Sequence, residues 1–444
     1  MRRAAPVTST TGRSCVRAVI GVPRAGRYPA QSAATSRIEP AVNPSLPAPS
    51  AEELAHGEQL TRLLHADIAS SGPMPFSRFM ERCLYAPGLG YYSAGRTKFG
   101  AAGDFVTAPE LGSLFAQCVA TALMPCLREL GDDADFCELG GGSGAFAEAA
   151  LLAFAEAGVV PHRYRILEPS ADLRQRQRER LQAQLPAALF ARCEWLDRPP
   201  QEDWHGALFA NEVIDALPVT RFVMREGEVF DEHVIADGAG GFSLCDRPAD
   251  ALVSGAVRHA ERDLGVGFAN GYRSEILPQL PYWMQAILGS LKRGLALFTD
   301  YGYPRAEYYL PERVDGTLVC HYRHRAHGDP LHLPGLQDIT AFIDFTALAE
   351  GGNQAGFAVA SYCSQAQLLF ATGIADRFEQ LSAQVDDLAC YRLAQEVKRL
   401  TLPGEMGERF QAMLLARDVP PSAVPRTLVD ISQGHRLFTG DVPD

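Results

Sequence analysis

The stretch FCELGGGSGAF, residues 136–146, decides the fold. An apolar run ends on Glu138, a glycine turn follows, and the alanine-rich run AFAEAALLAFAEAG starts at once. Strand, glycine turn and helix in this order predict one unit of a parallel sheet covered by helices, where ligands bind beyond the carboxyl ends of the strands. The register is E-x-G-x-G-x-G, with Gly140, Gly142 and Gly144, whereas a dinucleotide fingerprint reads G-x-G-x-x-G. A carboxylate ending the strand would repel a pyrophosphate and attract an amine or a sulfonium. The turn is expected to bring its backbone close to a cationic ligand, although a tight turn without a ligand uses the same glycines.

Working outward, RYRILEP ends a second strand on Glu168, placed to accept hydrogen bonds from ribose hydroxyls. A charged helix, SADLRQRQRERLQAQL, follows it. The third strand, CEWLD, ends at Asp197, an acid that could meet the exocyclic amine of an adenine. The fourth runs into NEVIDALP and sets Asn211, Glu212 and Asp215 beside the glycine turn, where polar residues are poor core candidates. The plainer reading makes Asp215 a cap of the next segment and Glu168 a solvated acid. VTRFVMREGEVFDEHVIA alternates about Glu226-Gly227 like a hairpin, and PYWMQAILGSLKRG leads into a late strand, LALFTDYG.

The fold class expected is α/β, with a Rossmann-like, mostly parallel sheet, helices on both faces and an antiparallel strand near its edge. Residues 1–50 read as a disordered or targeting-like leader, rich in Ser, Ala, Pro and Arg with no acid before Glu39. Residues 51–130 read as an N-terminal helical part carrying a glycine-punctuated loop, GLGYYSAGRTKFGAAGDFVTAP. The sheet is expected over 131–375, interrupted by an insertion around 218–280, with a helical C-terminal segment over 376–444.

The net charge of −12 over 444 residues argues against a general nucleic-acid binder and suits cationic ligands. Ten scattered cysteines contain no C-x-x-C pair, so no zinc site or disulfide framework is expected. No apolar run is long enough to span a membrane. Lys98, Lys292 and Lys398 are the only lysines, a usage that fits a GC-rich bacterial genome and a cytoplasmic protein; an Arg-rich leader read as a transit peptide would instead place it in the mitochondrial matrix.

GDFVTAPELGSLF, ANEVIDALPV, TDYG, GLQDITAFIDF and MGERF, together with E-x-G-x-G-x-G, resemble the MidA family of class I S-adenosyl-methionine-dependent methyltransferases. The resemblance runs from about residue 55 to about 435. It implies S-adenosyl-L-methionine as cofactor, with Glu138, Gly140, Gly142 and Gly144 at its amino-acid end and Glu168 at its ribose. Asp104 and Thr107 of the GDFVTAPE loop would fold over the cofactor, and Asp197 and Asn211 would complete its site. Glu212 and Asp215 would face the acceptor, and Asp215 or Glu110 could take a proton late. The turn reads GGGSG where the family often has G-P-G-x-G, which loosens it slightly.

The implied activity is methylation of an arginine in a partner protein, a respiratory complex I subunit by resemblance, and a homodimer is left open. The rival readings are a catalytically silent assembly factor that keeps the cofactor pocket, and a methyltransferase acting on a small molecule. Ser143 in GGSGA resembles a hydrolase elbow, but Ala145 replaces its last glycine. The histidines of CHYRHRAHGDPLH match no zinc-finger or helix-borne metal spacing and read as a polar loop near the acceptor entrance.

Overall fold

A computed structural model of the chain describes residues 46–93 and 107–438. The strands, in chain order, are β1 (Met74–Pro75), β2 (Asp135–Leu139), β3 (Tyr164–Leu167), β4 (Cys193–Leu196), β5 (Trp204–Asn211), β6 (Thr220–Arg225), β7 (Glu228–Ala236) and β8 (Phe242–Pro248). There follow β9 (Arg273–Ile276), β10 (Leu291–Tyr303), β11 (Val319–Tyr322), β12 (Arg325–His327), β13 (Asp338–Thr340), β14 (Ile343–Asp344), β15 (Ala358–Ser364) and β16 (Phe410–Arg417).

The main sheet has the order β15-β16-β10-β5-β2-β3-β4, with β14 added to the end of β10. From β10 to β4 every neighbouring pair is parallel, and β16 runs antiparallel between β10 and β15. Side chains alternate across the sheet, so one strand feeds two cores. Phe136, Leu295, Leu297 and Leu414 pack with the helices Leu114–Leu130 and Ala145–Glu156. Their neighbours Cys137, Ala296, Phe298 and Met413 pack on the other face with the helices Leu280–Leu288 and Phe345–Gln354. Strands buried on both faces read as continuous apolar runs, as β2, β5 and β10 do.

The C-terminal segment departs from expectation. Residues 376–444 carry the helices Ile374–Ser382 and Asp387–Thr401 in part or whole, but they also supply β16, an interior strand of the sheet. The run FQAMLLAR is apolar toward both cores and lacks the alternation that marks a half-buried strand, so periodicity alone does not separate it from helix.

The expected hairpin is β6–β7, and it grows into a five-stranded sheet with β8, β9 and the short β1. β1 reaches this sheet from the N-terminal part, where the helix Ala51–Ser71 is opened by a capping box: Glu53 N–H donates to Ser50 Oγ at 3.2 Å, and Ser50 N–H to Glu53 at 2.6 Å. The helix Phe76–Tyr85 follows and buries Phe76, Phe79, Met80, Cys83 and Leu84. A third sheet, β12-β11-β13, brings the GLQDIT segment toward the carboxyl ends of the main strands. No helix among the described residues is long and apolar enough to cross a membrane.

Candidate functional site

A cavity of about 2670 Å³ lies over the carboxyl ends of β2, β3, β5 and β10. The glycine turn forms one wall. Gly140, Gly142 and Gly144 hold φ of 67°, 50° and 83°, the left-handed region that glycine enters without a Cβ penalty. A Cβ added at Gly141 would stand 2.7 Å from Ile166, which packs the turn against β3, whereas one added at Gly142 would meet nothing within 4 Å. The backbone at Gly142 therefore borders open room that can admit a ligand closely.

The turn is held by Gln177, a residue the sequence did not single out. Its Nε2 donates to the Gly142 carbonyl at 2.9 Å and to Glu168 at 3.3 Å, and its Oε1 accepts from Trp195 Nε1 at 3.0 Å. Gln177 is fully buried on the otherwise charged helix Ala171–Gln184, in the stripe Leu173, Gln177, Leu181. A lone amide in that i, i+4, i+8 stripe was the available signal.

Glu138 lines the cavity but is only 3% exposed, and it accepts the Tyr164 hydroxyl at 2.7 Å. Burial pushes its carboxyl up to about 8; the Tyr164 bond lowers it and the Glu168 charge raises it further. Glu168 is also buried, and it accepts the Ser170 N–H at 3.0 Å. Thr107 lines the same space at the N-terminal boundary of the short helix Ala108–Leu111, without a side-chain capping bond. From that helix Glu110 accepts the Ser143 hydroxyl, while Arg180 donates to Ser143 at 3.3 Å and pairs with Glu148 at 2.7 Å. Glu110 is thus drawn to the glycine turn. Asp197 is exposed and does not line the cavity, and Asp104 lies outside the described residues.

Beside the glycine turn, Glu212 sits at φ 51° at the tip of β5, an uncommon conformation for a non-glycine residue that commonly marks functional sites. Thr299 donates to Asn211 Oδ1 at 2.8 Å, and Asn211 Nδ2 donates to Glu212 at 2.8 Å, so a strand β10 hydroxyl sets the carboxylate through one amide. Glu212 also accepts the N–H of Ala108, which ties it to the helix that follows the GDFV segment. Burial, with the Asp215 charge, pushes Glu212 up to about 8.

Asp215 is 4% exposed; its Oδ2 accepts the Tyr301 hydroxyl, and its Oδ1 is buried with no hydrogen-bond partner among the described residues. Burial raises its carboxyl and the Tyr301 hydroxyl opposes that rise. Asp300 supports it from beneath, as Ile214 and Asp215 N–H both donate to Asp300 Oδ2. Asp338 faces the cavity from β13 and accepts the Tyr92 hydroxyl. The quoted TDYG and GLQDIT motifs contained Asp300 and Asp338, yet nothing in their spacing said which residue would face the site.

His321, His327 and His332 line the outer part of the cavity. Among the described residues no group of three or more His, Cys, Asp or Glu side chains is placed to hold a metal ion.

A glycine turn between parallel strands, acids ending β2 and β3, and one antiparallel strand beside the last parallel one define a class I methyltransferase. A family model described as an S-adenosyl-L-methionine-dependent methyltransferase matches residues 118–363. The chain belongs to this family, the MidA-type methyltransferases. It is 41% identical to a COG1565 superfamily protein from Burkholderia thailandensis whose crystal structure holds S-adenosyl-homocysteine, with a TM-score of 0.80 over 88% of this chain and 100% of that one. A second crystal structure from that organism, in a native form, shows 40% identity and a TM-score of 0.77. The curated relatives include the protein arginine methyltransferase NDUFAF7 homolog, mitochondrial, of Drosophila melanogaster, 28% identical over 83% of this chain and 87% of that protein. The human NDUFAF7 is 25% identical over 86% of each.

The residues present fit the cofactor: the open backbone at Gly142 would leave room for its amino-acid end, and Glu138, a buried carboxyl beside that room, would gain a cation to balance it. S-adenosyl-methionine supplies a methyl group on a sulfonium.

Proposed function

We propose that this S-adenosyl-methionine-dependent enzyme methylates an arginine side chain of a partner protein. The observation that carries the reading is Asp215, a cavity-lining aspartate whose buried Oδ1 has no hydrogen-bond partner among the described residues. An unpaired buried anion is costly, so this wall is suited to a cation. The names of the relatives, arginine methyltransferases over more than four-fifths of the chain, agree with a guanidinium.

Each residue then has a role. Gly140, Gly142 and Gly144 admit the amino-acid end of the cofactor near Glu138, and Glu168, with Asn211 and Thr107 nearby, borders its nucleoside. Glu212, fixed through Asn211 and Ala108, holds one edge of the guanidinium by charge-assisted hydrogen bonds. A guanidinium is hardly ever deprotonated in advance, so the carboxylates offset its charge against the sulfonium and align the nitrogen. Asp215 accepts the proton released as the new bond forms. Glu110, engaged by Ser143, stays with the cofactor turn.

A complex I subunit is the acceptor the family resemblance offers. The mitochondrial names of the relatives support a matrix setting, and the preference for arginine over lysine supports a bacterial cytoplasm. The test is methyl labelling of a lysate from cells lacking the gene, with wild type and Glu212→Gln in parallel. A protein band that only wild type labels is expected; no band, with cofactor binding intact by calorimetry, overturns the reading in favour of a silent assembly factor or a small-molecule acceptor.

A further inference from the structure

We propose that Asp338, held by Tyr92, is a second carboxylate of the acceptor seat and closes with Asp215 on a planar cation. The proposal deepens the arginine reading and rests on it. Two tyrosine–aspartate pairs from four separate parts of the chain meet over this end of the cavity. Tyr301, at the end of β10, donates to Asp215, and Tyr92 donates to Asp338 Oδ1 and Oδ2 at 3.0 and 3.1 Å. In each pair a phenol spends its only proton on the carboxylate and orients it. All four side chains line the cavity.

The two pairs are braced together. Ala341, three residues beyond Asp338, donates its N–H to the Asp215 carbonyl at 3.1 Å. Tyr85 donates to the Ala216 carbonyl at 2.8 Å and stacks on Tyr92, with ring centroids 5.6 Å apart and an angle of 19°. The Asp338 and Asp215 charges both reach the Tyr85 hydroxyl and add to the burial that raises it. Two acids from different strand ends are thus fixed against one aromatic wall.

Such a seat discriminates by shape. A guanidinium presents donors along several edges and a flat face to an aromatic ring, so it can satisfy two separated carboxylates at once. An ammonium is a compact point charge that gains nothing from the planarity of the wall. Asp215 Oδ1, buried and with no hydrogen-bond partner among the described residues, is the oxygen such a donor would satisfy.

The experiment uses the full chain saturated with S-adenosyl-homocysteine and titrated with two probes, acetyl-Gly-Arg-Gly-amide and its lysine counterpart, read by NMR saturation transfer. Wild type is expected to prefer the arginine peptide by about tenfold or more, and Asp338→Asn to lose that preference while its affinity for S-adenosyl-homocysteine stays within about twofold. If wild type prefers arginine and Asp338→Asn does too, the proposal alone falls. If wild type shows no arginine preference, the arginine reading falls and takes the proposal with it. Should Asp338→Asn fail to bind S-adenosyl-homocysteine, Tyr92→Phe decides, because it keeps the carboxylate and removes its donor. A weakening of arginine-peptide binding by about threefold supports the seat, and unchanged binding overturns it.

Discussion

Asp300 accepts the backbone N–H of Asp215 at 3.3 Å, so a carboxylate from β10 sets the main chain of a residue that lines the cavity. The same Asp300 accepts Ile214 N–H at 3.1 Å and Tyr301 N–H at 2.9 Å. Asp300→Ala would leave buried donors unpaired, at about 1–3 kcal/mol for each that finds no water. The urea midpoint is expected to fall and methyl transfer to drop by about tenfold or more, as the Asp215 backbone loses its support. An unchanged midpoint would contradict this account of the turn.

Cofactor binding should depend on pH through Glu138. Its carboxyl rises from an ordinary 4.5 to about 8, so between these values the folded chain holds a proton that the unfolded chain has lost. Stability from this group therefore declines as pH rises from 4.5 to 8 and levels off above. A bound cation favours the carboxylate, so affinity for S-adenosyl-methionine should rise with pH up to about 8, by at most about tenfold per unit. Calorimetry from pH 6 to 9 would check it, and Glu138→Gln should flatten the slope.

Glu110 and Glu212 should separate by kinetics. Glu110→Gln keeps an oxygen that can accept the Ser143 hydroxyl, so turnover should stay within about threefold. Glu212→Gln should cost about a hundredfold in kcat with cofactor affinity nearly unchanged, because the charge it loses acts on the acceptor. A hundredfold loss in Glu110→Gln would move the proton-accepting role to that residue.

The room beside Gly142 can be filled. Gly142→Val forces a β-branched residue to φ near 50° and places its Cβ where nothing lies within 4 Å, so its methyls extend into that room. S-adenosyl-homocysteine binding should weaken by about thirtyfold or more while the far-UV circular dichroism spectrum is retained. Unchanged binding would place the cofactor elsewhere.

The strand–turn–helix units were legible because each is local: Glu138, the three glycines and the alanine-rich helix lie within a short span. Glu168 and Glu212 were legible because a strand that turns polar at its carboxyl end announces the ligand edge. The same rule chose Asp197, which the fold leaves exposed, since the rule fixes height above the sheet and not direction around the cavity. β16 was hidden because its partner β10 lies more than a hundred residues earlier, and no local period records a long-range pairing. Tyr92, Asp300 and Asp338 were hidden likewise, since a hydrogen bond between residues 92 and 338 exists only once three sheets have closed around one space.

The most direct test of the central claim is tandem mass spectrometry on the protein that wild type labels in a lysate lacking it. The account predicts the added methyl on a guanidinium nitrogen of arginine. A methyl on lysine, a carboxylate or a thiol, or label confined to small molecules, would contradict it.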